Sequence, residues 1–150
     1  MSKSIHFFAE DIGYTLPEKN NTRLWISYVT IAENSRTGEI CFVFCSDKYL
    51  SKINHKYLKN NTLTDIITFP TSEEKDLISG DIFISLPRVK DNAKKFKQKF
   101  IDELHRVMIH GVLHLIGYSD TSKEERKQMR LKEDFYLDRL FQIKAHSSKI

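Results

Sequence analysis

The chain has 150 residues, with 24 Lys and Arg against 20 Asp and Glu, a formal net charge of +4 and a pI near 9.0. That length is the size of one domain with its own core, roughly 100–200 residues, and 40% hydrophobic with 29% charged residues excludes a disordered tail. Mild basicity admits a polyanionic partner without demanding one. No run approaches the roughly 20 apolar residues of a membrane span, and the apolar run near the N-terminus is too short for a signal peptide. A cytoplasmic protein with no membrane partner, forming one domain over residues 1–150, is therefore expected.

In chain order, residues 4–9 read as a first strand. A helix is expected to open at Thr15-Leu16-Pro17-Glu18, with Pro17 near its first turn. Leu24, Ile26, Val29, Ile31 and Ala32 give it an apolar face up to about Asn34. Residues 39–45 form a strand rich in β-branched and aromatic side chains. It holds both cysteines, Cys41 and Cys45. Four apart on one strand face, they are too distant to bridge, and they read as buried thiols of a reducing compartment.

Ser46-Asp47 caps a second helix, with Leu50, Ile53, Tyr57 and Leu58 at helical spacing. Residues 58–64 read as a polar loop. Strands follow at 65–69 and 81–85, joined by a charged connection at 71–79. Leu86-Pro87 starts a basic helix, another runs over 99–116 to Gly117, and a last one runs from about Ser122 into the early 140s. Four strands interleaved with helices point to one α/β or α+β layer.

The chemistry lies in His110-Gly111-Val112-Leu113-His114-Leu115-Ile116-Gly117-Tyr118-Ser119-Asp120. Two histidines four apart on a helix stand one turn apart on one face, so their imidazoles converge on one ion. Gly117 accepts the left-handed backbone that ends a helix and turns the chain back. Asp120 is then placed to supply a third ligand. The spacing is that of a metzincin-type zinc helix, with two exceptions. Gly111 stands where a zinc protease has its glutamate base, which removes that protease's main catalytic group. Asp120 replaces a third histidine, lowering the net charge of a zinc site and weakening the Lewis acid. One zinc ion per chain, on His110, His114 and Asp120, is expected.

At this motif the sequence resembles the YbeY family of single-strand-specific endoribonucleases, with signature His-Gly-x-Leu-His-Leu-x-Gly-Tyr-Asp-His. The matching residues are His110, Gly111, Leu113, His114, Leu115, Gly117 and Tyr118. Thr64-Asp65-Ile66-Ile67-Thr68-Phe69 resembles the family's Thr-Asp-Val-Leu-Ser-Phe, and Gly80-Asp81-Ile82-Phe83-Ile84-Ser85 its Gly-Asp-Ile-x-Ile-Ser. Met129 and Glu133 match a Met-x-x-x-Glu pair in the last helix. The likeness spans residues 54–133. It implies an α+β fold, with a roughly four-stranded mixed sheet packed by helices and a basic cleft over zinc. It also implies an RNase for single-stranded and ribosomal RNA, acting at the small-subunit 3′ end, in ribosome quality control and in contact with the ribosome. No DNA partner is expected.

Two departures stand out. Ser119-Asp120 replaces Asp-His, and the family's Asn-x-x-Tyr-Arg has become Asn54-His55-Lys56-Tyr57-Leu58, so a cleft-facing arginine is replaced by leucine. Arg106, on the zinc helix, is the expected catalytic substitute. The basic run Arg88, Lys90, Lys94, Lys95, Lys97 and Lys99 would attract phosphates, with Lys59 and Arg88 as expected RNA contacts. Asp65 and Asp81 read as structural acids at strand ends, which leaves the general base unassigned. The competing reading is a non-catalytic ribosome-assembly module with structural zinc. A set of three ligands with an open fourth position argues for catalysis instead.

Overall fold

The computed structural model describes residues 4–58 and 64–148. The elements run β1 (Ile5–Ala9), α1 (Lys19–Ala32), β2 (Arg36–Cys45), α2 (Asp47–Leu58), β3 (Ile66–Pro70), β4 (Leu77–Ser85), α3 (Leu86–Lys95), α4 (Phe100–Ile116) and α5 (Lys123–Ser148). They form an α+β fold around one four-stranded sheet in the order β1-β2-β4-β3. β1, β2 and β4 run parallel, and β3 is antiparallel to β4.

Side chains alternate across a strand, and here both faces of the sheet are covered. Ile40, Phe42 and Phe44 of β2 and Ile78, Ile82 and Ile84 of β4 enter the main core with Trp25, Ile26 and Val29 of α1, Leu104, Met108, Ile109 and Val112 of α4, and Met129 and Tyr136 of α5. On the opposite face Cys45, Leu50 and Ile67 make a second cluster under α2, against Tyr49, Ile53, Phe69 and Phe83. Cys45 is free, and burial raises its pKa to about 12, so it stays protonated at neutral pH. Cys41, also free, is only half-buried, unlike the sequence expectation.

Four boundaries differ markedly from the sequence reading. α1 begins at Lys19 rather than near Thr15. Leu16 precedes a proline, which disfavours helix, and it is buried in the core instead. Glu18 then takes the left-handed conformation and its carbonyl receives Thr22 N–H. β2 and β4 both begin earlier than expected because they pair with each other, Arg36 with Leu77 and Thr37 with Ile78, with an irregularity before Ile40. Arg36 also bonds Asp76 and Glu74. α5 extends to Ser148, beyond the early 140s. Trp25 Nε1 donates to its Tyr136 carbonyl at 2.7 Å, tying it to α1.

Gly111 explains how α4 lies so close to the sheet. A Cβ there would come within 2.8 Å of Ile66 Cδ1 and 2.9 Å of Ile82 Cγ2. The position at which a zinc protease carries its base is thus a packing contact against β3 and β4. Overpacking costs about 1–3 kcal/mol, against a helix-propensity gain of about 1 kcal/mol over glycine. Gly111→Ala should therefore lower stability by about 1 kcal/mol net, read as a lower denaturation midpoint at unchanged slope. A stabilised variant would show that α4 has room to spare.

Candidate metal centre

α4 presents His110 and His114 one turn apart, their rings T-shaped with centroids 4.6 Å apart. The helix ends at Gly117, whose φ of 126° suits glycine. Tyr118 N–H reaches back to the Leu113 carbonyl at 3.0 Å, a Schellman-type closure. The chain doubles back and brings in Asp120. His110 Nε2 lies 3.0 Å from His114 Nε2 and 3.2 Å from Asp120 Oδ2, and His114 Nε2 lies 3.3 Å from the same oxygen. Four donors about 2.0–2.1 Å from a tetrahedral ion are spaced about 3.3 Å apart. The triangle therefore has the size of one face of such a site, and the cluster can hold a metal ion.

His110 is held from behind. Its Nδ1–H donates to Glu133 Oε2 at 2.6 Å, which leaves the Nε2 lone pair facing the triangle. Glu133 Oε1 receives Arg106 Nη1 at 2.8 Å, and Arg106 Nη2 binds Asp134. Burial disfavours a charged His110. The Glu133 bond and the charges of Glu133, Asp120 and Asp65 outweigh it and raise its pKa above the ordinary 6.5.

The Asp120 turn is clamped on both sides. Glu33, just past α1, accepts Tyr118 Oη at 2.6 Å, Lys132 Nζ at 3.0 Å and Tyr136 Oη. Burial opposes its charge, but these three donors keep its pKa below 4.5. On the other side Ser122 and Glu125 form a capping box: Ser122 Oγ receives Glu125 N–H at 3.0 Å, and Glu125 Oε1 receives Ser122 N–H at 3.0 Å.

An open cavity of about 380 Å³ adjoins the triangle, and its lining includes His110, Asp120, Glu133 and Asp65. Burial raises the Asp65 carboxyl pKa above 3.8, partly offset by His110. Asn92 Nδ2 donates to it at 3.3 Å.

Comparison with known proteins bears on this geometry. The sequence profile described as endoribonuclease YbeY matches residues 14–141. The chain belongs to the YbeY family. An endoribonuclease YbeY of Amoebophilus asiaticus is 46% identical over 134 residues, 89% of this chain and 91% of that one. One of Flavobacterium psychrophilum is 47% identical over 139 residues, 93% and 98% of the two chains. One of Karelsulcia muelleri reaches 55% over 113 residues, 75% and 79% of the two. The solution structure of TM1509 from Thermotoga maritima matches with TM-score 0.66 and 25% identity, over 97% of this chain and 95% of that one.

In this YbeY-family chain the residues singled out from sequence meet different fates. His110, His114 and Asp120 converge. Arg106 lines the cavity, but both terminal nitrogens lie on α5 carboxylates, so a phosphate there has to displace one. Arg88 is held by Asp47 and is not among the cavity-lining residues, whose contributions from α3 and its C-cap are Asn92 and Phe96. The lysines of that basic run do not line it either. Lys59 lies outside the described residues, and Leu58 ends α2. Asp65, read as a structural acid, lies just before β3 and lines the cavity, although its carbonyl also serves structure by accepting Ser85 N–H. Arg126 and Arg130 line the cavity too, and sequence reasoning missed them. The available clue is their spacing around Met129 and Glu133, which puts all four on neighbouring positions of one helix face.

Two measurements test the centre. Glu133→Gln should weaken metal affinity about 10–100-fold while the chain stays folded, as for other groups that orient a ligating histidine; unchanged affinity would remove Glu133 from that role. Ligation needs an unprotonated Nε2, so metal affinity should fall as pH drops through the raised pKa of His110, starting above 6.5. Affinity independent of pH between 8 and 5, roughly the span of histidine titration, would show that His110 does not ligate.

Proposed function

We propose that this chain is a zinc-dependent, single-strand-specific endoribonuclease that processes ribosomal RNA at the small-subunit 3′ end and serves ribosome quality control. It holds one zinc per chain on His110, His114 and Asp120 and works in the cytoplasm on the ribosome or its precursors. The observation that carries this reading is the triangle of donors 3.0–3.3 Å apart, beside an open cavity, in a chain of the YbeY family. When bound, zinc supplies Lewis acidity toward a phosphoryl oxygen or an attacking water.

The chain's own residues divide the remaining work. Glu133 fixes the tautomer and aim of His110, and Arg106 holds Glu133 in place. Asp65 supplies a carboxyl of raised pKa in the cavity and is the proposed proton acceptor. Phe96, 50% exposed, offers a ring on the cavity wall against which an unstacked base can lie. That would favour single strands over duplexes, whose bases are already stacked. A purely structural zinc is normally closed by four protein ligands. Among the described residues the cluster has three.

End-labelled single-stranded RNA, incubated with zinc-loaded and with chelated protein, tests the proposal. Cleavage should require the metal, spare duplex RNA and vanish with His114→Ala, which should also lose zinc on dialysis. Asp65→Asn should retain zinc yet slow cleavage about a hundredfold, within the range of general-base loss. With zinc kept saturating at each pH, the parent kcat/KM should fall on the acid side, as Asp65 takes up a proton, and the variant should lack that limb. Metal-independent cleavage, or none, refutes the nuclease reading. An Asp65→Asn enzyme at parent rate removes Asp65 as the base.

A further inference from the structure

The cavity beside the metal triangle is lined by four carboxylates, those of Asp65, Glu103, Asp120 and Glu133. A phosphodiester entering it meets repulsion unless cations compensate. Three guanidinium groups share the lining: Arg106, Arg126 and Arg130. Arg106 has both terminal nitrogens on Glu133 and Asp134. Arg126 uses Nη1 on the Thr121 carbonyl at 3.1 Å, which steadies it beside the Asp120 turn and leaves the rest of its fork open. Among the described residues Arg130 has no hydrogen bond and no ion pair. Its charge acts across the cavity on Glu103, whose pKa burial raises and Arg106 and Arg130 lower.

The two side chains also act on each other. They stand four apart on α5, where like charges lie about 5–6 Å apart at Cβ and repel. The carboxylate four residues beyond Arg130, Asp134, is already bound to Arg106. Met129 and Glu133, on the same stretch of α5, are buried at 2% and 5% exposure, so the helix cannot roll to turn the arginines away. The mutual repulsion of this exposed pair in the cavity lining is relieved by an anion bound between its members. Guanidinium forks suit phosphate because they match its oxygens two at a time.

We propose that Arg130, with Arg126, grips a phosphate of the RNA strand at this site, the part that Arg106 is not free to play. This rests on the endoribonuclease reading above and names the residues that hold its substrate. It also places the substrate-binding cation on the last helix, not at Leu58 on α2.

The test uses the zinc-loaded protein for cleavage and the chelated protein for binding, with a single-stranded 12-nucleotide oligouridylate as probe. Variants are Arg126→Gln/Arg130→Gln together, Arg130→Gln alone, Arg130→Lys, and Arg139→Gln, which matches the charge lost in Arg130→Gln but at an arginine that stacks on Tyr28 and Phe135, outside the cavity lining. The double variant should bind the probe at least about tenfold more weakly, since a hydrogen bond to a charged group is worth about 1.5–3 kcal/mol. Its log–log salt slope should be shallower by about 0.7 for each phosphate no longer gripped. kcat/KM should fall in step, with zinc affinity and melting temperature unchanged. Arg130→Lys should keep the salt slope and only part of the affinity, and Arg139→Gln should match the parent.

A double variant that binds and cleaves like the parent overturns the assignment while the nuclease reading survives. One that loses zinc or melts early overturns it too, because the arginines are then structural. If the parent binds with a steep slope that the double variant loses, yet never cleaves, the phosphate grip stands and the nuclease reading falls. A parent that neither binds nor cleaves overturns both.

Discussion

Three lone-pair donors within 3.3 Å of one another repel unless a cation or proton lies among them, and the surrounding fold is arranged to keep them together. The helix does this for His110 and His114 through its own pitch. Asp120 arrives only because Gly117 turns the chain back and because Glu33 and the Ser122–Glu125 box fix the turn on either side. His110 cannot rotate to relieve the crowding, since its other nitrogen is bonded to a carboxylate that is itself pinned by an arginine. The strain of assembling the site is therefore carried by buried polar contacts between α4, α5 and the end of α1, so that little reorganisation is left for the moment of ligand binding.

Much of this was legible in the sequence, and for reasons that are local. The four-residue spacing of the histidines, the glycine at the turn and the carboxylate beyond it all act within one helix and its end, where periodicity and backbone sterics decide the outcome. The strands at 39–45 and 81–85 were legible from their apolar runs. Their first residues were not, because Arg36, Thr37 and Leu77 become strand only by pairing across the sheet. The start of α1 is hidden for a similar reason: a proline there suggests a first helical turn, but the core's demand for Leu16 overrides it.

The charged residues are the hardest to place. A basic run such as that from Arg88 to Lys99 reads as one surface, but helical pitch sorts it. Val89 and Ala93 face the core, Asn92 and Phe96 face the cavity, and Arg88 is taken up by Asp47. Conversely, Arg126 and Arg130 sit in the mixed-charge first half of α5, where the apolar stripe that continues through Tyr136 and Leu140 is reduced to Met129. The burial of Met129 and Glu133 shows which face is inward at their level. Whether a charge is free for a ligand depends on its partners in space, and pairs such as Arg106–Glu133 and Lys132–Glu33 join residues far apart in sequence.

The single carboxylate of Glu33 receives donors from Tyr118, beside the metal turn, and from Lys132 and Tyr136 of α5, while Tyr136 also lends its carbonyl to Trp25 of α1. Docking of the last helix and closure of the ligand turn are consequently one cooperative event. Thermodynamic linkage makes the relation reciprocal. An ion in the triangle strengthens the hold of α5 on the body of the protein by as much as the docked helix strengthens the hold on the ion. The last helix thus acts as a latch whose own opening free energy reports whether the site is loaded.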